Sequence, residues 1–305
     1  MMKFEINILG CGAALPTSKR SPTAQVVQLN EQLFLVDCGE GTQAQLRKMK
    51  IKFLRIDHIF ISHLHGDHYL GLPGLISSMH LLGRKKDINI YGPKGIDEIM
   101  EVNLRNSFTQ LNFEINYHFT DHKEQEVLLE KDTFSVKSII LKHRIPCTGF
   151  LFQEKERKPK INKSIIKEYQ LQIPEILALK RKEDVIRENG SVLSWEELTI
   201  KAPKPKSYAY CSDTKYYERV IEQVKGATCL YHESTFLNDQ KDRAAKTYHT
   251  TAEQAAEIAK LANVQQLVLG HFSSRYRDLE GFLLEASPIF ANTVLAEEGL
   301  NIVVE

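Results

Sequence analysis

Apolar residues recur along this chain in short runs, and several runs stop in the same way. The opening stretch MMKFEINILGCG alternates apolar and polar positions, the two-residue period of a half-buried strand. DHIFISH ends at His63, FSVKSIILKH at His143, SYAYCSD at Asp213 and QQLVLGH at His271, while TCLYHES carries His232 near its end. Each run is apolar or β-branched and then halts at a metal-capable side chain. Strand ends gather at one rim of a sheet, so residues distant in sequence converge there.

Helices are predicted between these strands. They cover GTQAQLRKMK at 41–50, GLPGLISSMHLLGR at 71–84 and, after Pro93, GIDEIMEVNLRNSF at 95–108. A fourth covers TKYYERVIEQVKGA at 214–227, closed by a glycine stop. A fifth covers TAEQAAEIAKLANV at 251–264, where Thr251 and Gln254 are spaced as a capping box. Strands and helices alternate in both halves. The pattern predicts two β-rich halves face to face, helices outside, and the ligands along a shared edge. Residues 153–206 break the rhythm. They are rich in charge, contain several prolines and show only short apolar pieces. The chain therefore divides into 1–152 and 207–305, two parts of one core, with 153–206 as an inserted arm.

Composition narrows the picture. At 305 residues and 42% hydrophobic, the chain can bury a substantial core. Its formal charge of +1 excludes a strong global attraction to polyanions, so such a substrate needs a local basic surface. The five cysteines are scattered and lack a C-x-x-C spacing, which fits buried thiols in a reducing cytoplasm. No secretory signal is expected at the start. No apolar run reaches the roughly 18 residues of a membrane span.

The densest chemistry lies in ISHLHGDHYLGLPGL, residues 61–75. His63 and His65 are expected to bind one ion together with His143. Asp67 and His68 are expected to bind a second with His271, and Asp213 to bridge the two. Imidazole and carboxylate without thiolate suit zinc. Two ions about 3.5–4 Å apart would acidify a shared water and neutralise charge on a substrate oxygen. That chemistry serves phosphodiesters, thioesters and lactams alike. His58, His80, His118 and His122 fall outside the pattern and read as structural or solvated. Asp37, in the turn DCGEGTQ, is either a partner of a metal ligand or a helix cap. Ser62, Ser234 and Thr235 read as hydrogen-bonding groups rather than nucleophiles.

SHLHGDH with His143, Asp213 and His271 resembles the metallo-β-lactamase superfamily. LGCGAALPTSKRSPTA followed by LFLVDCGEGTQAQL is similar to the amino-terminal signature of the ribonuclease Z family. HEST at 232–235 resembles that family's H-E-A-T motif, and YHTTAEQAAEIA at 248–259 its H-S-T motif. The resemblance spans nearly the whole chain.

It implies an α/β fold, the αββα metallo-β-lactamase sandwich with an inserted charged exosite arm. It also implies a cytoplasmic homodimeric endoribonuclease with two Zn2+ per subunit. The implied reaction removes 3′ trailers from precursor tRNA just 3′ of the discriminator nucleotide, leaving a tRNA 3′-hydroxyl and a trailer 5′-phosphate. Asp67 is then the candidate general base. His249 would stabilise the transition state or protonate the leaving oxygen, and Glu233 would hold its imidazole in the right tautomer. In the arm, QLQIPEILALKRKEDV departs from the family's Gly-Pro signature. Lys155, Arg157, Lys158, Lys160, Lys163, Lys180, Arg181 and Lys182 are its candidate RNA contacts. The rival reading is a hydrolase of the same fold acting on a small ester or phosphodiester. It leaves the arm and the HEST and YHTT pair unexplained.

Overall fold

The computed structural model describes residues 3–305. The alternation of the first segment becomes strand Phe4–Gly10, with Phe4, Ile6 and Ile8 buried. This strand lies in a seven-stranded sheet ordered Asn301–Val303, Phe4–Gly10, Ala24–Leu29, Gln32–Cys38, Ile56–Phe60, Ile88–Gly92 and Ile115–Phe119. Pairing is antiparallel as far as Gln32–Cys38 and parallel beyond it. A second seven-stranded sheet is ordered Thr293–Leu295, Gln266–Gly270, Cys229–Glu233, Ser207–Cys211, Thr148–Glu154, Phe134–Ile140 and Val127–Glu130. Its strands from Thr293–Leu295 through Ser207–Cys211 run parallel.

The period of two decides what each face meets. On Gln32–Cys38, Leu33 and Leu35 join Leu46, Leu75, Ile76 and Met79 beneath helices Thr42–Lys48 and Leu72–Leu81. Phe34 points the other way and packs on Phe152 of the second sheet, ring centroids 5.5 Å apart. Phe60 meets Phe150 in the same layer at 5.2 Å. These are favourable separations for aromatic pairs. Helix Ala252–Leu261 packs on the second sheet, burying Ala252, Ala255, Ala256, Ile258 and Ala259. The result is the expected helix–sheet–sheet–helix order.

The Thr251–Gln254 capping box forms at the start of that helix. The helix expected over 214–227 shrinks to Arg219–Gln223. Its first residues are engaged elsewhere. The Thr214 amide donates to Glu233 at 3.1 Å, and the Lys215 amide to the Lys142 carbonyl at 3.0 Å.

The chain has two compact units. The larger holds both sheets, and the smaller comprises Lys131–Ser135 with Gln153–Lys206. The smaller unit takes in the 131–135 turn, where the Thr133 carbonyl accepts the Lys155 amide at 2.9 Å. It contains helices Lys163–Glu168 and Ile173–Lys180 and a hairpin pairing Val185–Ile186 with Val192–Leu193. Its own core buries Leu171, Leu179, Leu193 and Leu198, with Ile161, Ile176 and Trp195 against them. Among the described residues no helix is long and apolar enough to cross a membrane. All five cysteines are free and buried.

Candidate metal centre

The sequence-predicted ligands lie just beyond strand ends. His63 follows Ile56–Phe60, His143 follows Phe134–Ile140, Asp213 follows Ser207–Cys211 and His271 follows Gln266–Gly270. The short helix Gly66–Tyr69 carries Asp67 and His68. Gly39 lets this turn approach the first sheet. A Cβ at Gly39 would fall 2.4 Å from the Asp67 carbonyl oxygen, closer than real atoms come.

Two donor groups hold the sequence-predicted ligands, and a third joins His249 to Asp213 and His271. In the first two, His63, His65, His143 and Asp213 offer ligand atoms within 4.8 Å of one another, and so do Asp67, His68 and His271. His65 Nδ1 is 3.0 Å from His63 Nε2 and 3.2 Å from His143 Nε2. His68 Nε2 and His271 Nε2 are 3.2 Å apart, and each lies 3.4 Å from Asp67 Oδ2. Asp213 faces both groups. Its Oδ2 is 3.5 Å from His63 Nε2, and its Oδ1 is 3.1 Å from His271 Nε2 and 3.3 Å from His68 Nε2.

These donors fit metal ions. Asp213 is buried, and its Oδ1 has no hydrogen-bond partner. A buried carboxylate oxygen left so is costly unless a cation sits on it. Imidazole nitrogens and carboxylate oxygens also crowd together at 3.0–3.5 Å. With zinc–nitrogen bonds of about 2.0–2.1 Å, the edge of a ligand tetrahedron is about 3.3 Å. Burial opposes a charge on His68, yet Asp67, Asp213 and Asp37 raise its proton affinity well above the imidazole range. The site is one that calls for positive charge.

The outward-facing nitrogens of the ligands are anchored. Asp37, fully buried, sits 2.8 Å from His68 Nδ1 and accepts the Ser62 amide at 2.8 Å. The Tyr210 hydroxyl donates to it at 2.6 Å. The helix after Asp37 starts at Gly41 without a side-chain cap, so Asp37 is a partner of a ligand and not a cap. His143 Nδ1 pairs with the Tyr248 carbonyl at 3.0 Å. His271 Nδ1 pairs with Thr235 Oγ1 at 2.9 Å, and Thr235 donates on to Glu233 at 2.8 Å. Such contacts fix which nitrogen carries the proton and leave the other free to bind.

His249 lies beside these donors, its Nδ1 2.9 Å from Glu233 Oε1. Burial works against its charge, but the Glu233 carboxylate prevails, and its pKa is pushed up to about 9. Glu233 is fully buried and also accepts the amides of Thr214, Thr235 and Thr250. Burial disfavours the Asp67 charge too, but His68 and His271 hold its carboxyl well below the usual range. Asp67 Oδ2 also accepts the Ala14 amide at 2.7 Å.

A cavity of about 470 Å³ opens over the cluster, lined among others by His65, Asp67, Asp213, His249 and His271. Sequence reasoning missed the rest of its wall. Two cations lie near the Phe236 ring, the guanidinium of Arg275 at 5.6 Å and that of Arg243 at 6.0 Å from its centroid. Arg144 completes the basic rim. Arg144 and Arg275 stand one and four residues past the ligands His143 and His271, which was the available signal. His58 and His118 flank Tyr91, His80 accepts the Asn112 amide and His122 is exposed, so none of the four joins the cluster.

The eight arm cations lie in the smaller unit. Lys158, Lys160 and Lys163 are exposed. Arg157 pairs with Glu154, Arg181 with Glu183 and Lys182 with Glu156. Lys155 and Lys180 are half-buried.

Comparison with known proteins gives the family. A family profile described as Anti-Pycsar protein Apyc1 matches residues 4–156, and one described as a beta-lactamase superfamily domain matches residues 174–272. Ribonuclease Z of Cytophaga hutchinsonii is 49% identical over 299 residues, covering 98% of this chain and 95% of its own. Ribonuclease Z of Bacteroides fragilis strain YCH46 is 47% identical over 300 residues, covering 98% and 99%. The crystal structure of human tRNase Z, short form, superposes with a TM-score of 0.71 at 28% identity and 99% coverage of both chains. Yeast PDE1, at 13% identity and a TM-score of 0.60, shares the fold alone. Fold and site together define a hydrolase of the metallo-β-lactamase fold. Within that class the chain belongs to the ribonuclease Z family.

Proposed function

We propose that this protein is a zinc-dependent endoribonuclease that removes 3′ trailers from tRNA precursors. The observation that carries the reading is the His249–Glu233 pair, 2.9 Å apart, beside a dense cluster of histidine and aspartate donors. His63, His65, His143 and Asp213 would hold one Zn2+, and Asp67, His68, His271 and Asp213 the other. Ions held there supply Lewis acidity and an acidified water at neutral pH.

The chain's own residues do the rest. The basic rim of Arg144, Arg243 and Arg275 binds and orients phosphates near the scissile bond. Asp67, ionised, accepts a proton from the attacking water. His249, kept protonated by Glu233, donates a proton to the departing 3′ oxygen of the discriminator nucleotide. The bond from phosphorus to that oxygen breaks as the bond from water oxygen to phosphorus forms. The tRNA leaves with a 3′-hydroxyl and the trailer with a 5′-phosphate. The 153–206 unit is proposed as the tRNA-binding exosite, with Lys158, Lys160 and Lys163 as its free phosphate contacts. The protein would act in the cytoplasm as a homodimer.

The test offers zinc-loaded protein a trailer-bearing tRNA precursor and, separately, a small phosphodiester, and maps the RNA ends. A single cut after the discriminator supports the proposal. Turnover of the small substrate alone would replace it with a small-molecule hydrolase.

A further inference from the structure

Asp37 is bonded more heavily than aiming one imidazole requires. Its Oδ1 accepts the Ser62 amide at 2.8 Å. Its Oδ2 faces three further donors: His68 Nδ1 at 2.8 Å, Ser62 Oγ at 2.9 Å and the Tyr210 hydroxyl at 2.6 Å. Ser62 Oγ also lies 3.0 Å from His63 Nδ1 and 2.9 Å from Ser212 Oγ.

Proton counting gives this network one consistent reading. A serine hydroxyl has a single proton. Were it given to His63 Nδ1, His63 would carry its own proton on Nε2, the nitrogen that faces His65 and Asp213. Ser212 Oγ and Asp37 Oδ2 both lie 2.9 Å from Ser62 Oγ, and a charged carboxylate is the stronger acceptor of the two, so Asp37 draws the Ser62 proton to itself. The Ser62 oxygen then accepts from His63 Nδ1–H. One buried carboxylate thus sets His68 directly and His63 through Ser62. His63 belongs to one donor group and His68 to the other.

One of the donors that hold Asp37 comes from the opposite sheet. The Asp37 backbone is left-handed at φ +54°, a conformation aspartate tolerates better than most non-glycine residues. Tyr210, in strand Ser207–Cys211, is fully buried, with its ring stacked 6.5 Å from Phe150 and 5.0 Å from Tyr231. Its hydroxyl reaches across the layer between the sheets to Asp37, in strand Gln32–Cys38.

We propose that Tyr210 is a positioning residue of the metal centre: its hydroxyl holds Asp37 in the orientation that sets the tautomers of His68 and, through Ser62, His63. This rests on the metal-binding part of the proposed function and adds a residue that touches neither ion nor substrate. Because the network feeds both donor groups, its loss weakens both binding steps together.

The test is a zinc titration of metal-free protein against a chromophoric chelator, without RNA. Tyr210→Phe keeps the stacked ring and removes the hydroxyl. Both zinc steps should weaken by roughly tenfold, the low end of the range for contacts that orient ligands. The absorption spectrum of the Co2+-loaded variant should change, which a loss of stability alone would not cause. Asp37→Asn should weaken both steps further. Tyr210→Phe added to Asp37→Asn should cost nothing more, because the hydroxyl acts through the carboxylate. If the melting curve of Tyr210→Phe shows that it does not fold, Ser62→Ala takes its place and should weaken the His63 step. Unchanged zinc affinity and Co2+ spectrum in Tyr210→Phe would overturn the proposal. So would additive losses in the double variant, or an unaffected Ser62→Ala. Weakened zinc binding alongside failed trailer cleavage by the wild type would sink the substrate reading and leave this one standing.

Discussion

Asp37 at φ +54°, Tyr248 at +61° and His271 at +58° adopt left-handed backbone at the centre although none is glycine. Such conformations persist where surrounding contacts over-determine them. At Asp37 and His271 the reason is the side chain, which orients or donates to the cluster. At Tyr248 it is the carbonyl, which takes the His143 Nδ1 proton. The two cases separate by substitution. Tyr248→Asn should keep the metal content of the wild type by elemental analysis, since asparagine tolerates this conformation and the carbonyl remains. His271→Asn should lower it. His249 makes the complementary case, because it sits beside the donors and is held by Glu233. His249→Ala should keep its zinc and lose roughly a hundredfold or more in single-turnover cleavage rate, the share general acid help supplies. A fully active variant would remove His249 from the mechanism. His63, His143, Asp213 and His271 were legible in the sequence because each closes an apolar run, and His65, Asp67 and His68 because they crowd into the turn after His63. Tyr210 was not, because it sits inside such a run and reads as one more core aromatic.

Elements were legible where local signals act alone. Strand ends followed the alternation, and the Thr251–Gln254 box opened its helix as expected. The 214–227 segment failed because the Thr214 and Lys215 amides bond to other elements, which no local pattern reveals. The smaller unit hid its core for a related reason. Leu171, Leu179, Leu193 and Leu198 are spread over charged sequence and meet only once two helices and a hairpin fold. That core predicts a local weakness. Leu179→Ala should cost about 2–5 kcal/mol of local stability. Hydrogen exchange should rise across residues 163–193, while amides of the 56–60 and 266–270 strands and the zinc content stay unchanged. Protection lost everywhere at once would mean that the two units do not unfold separately.

For the whole molecule, charge bears on how RNA is held. A formal charge of +1 gives little long-range attraction, so binding must come from local cations. Precursor affinity should fall with salt at a log–log slope of about 0.7–0.9 per phosphate neutralised. Lys158→Ala with Lys160→Ala should flatten that slope in filter-binding titrations. Arg181→Ala should flatten it less, because Arg181 already pairs with Glu183. Metal removal is the other global lever. The donors converge only in the folded chain, so a chelator should lower the melting temperature by removing ions that bind the folded state.

The wiring of the sheets also imposes an order on events during synthesis. His68 and His271 face each other at 3.2 Å across 203 positions of chain, and strand Phe4–Gly10 waits for Asn301–Val303 to cover its edge. A ribosome therefore releases the first four donors of the HLHGDH turn long before the strand that delivers the last. Contacts this remote close late. The catalytic centre cannot exist on a half-made chain, so the nascent polypeptide is harmless to any RNA around it. The enzyme arms itself only once His271 has been translated.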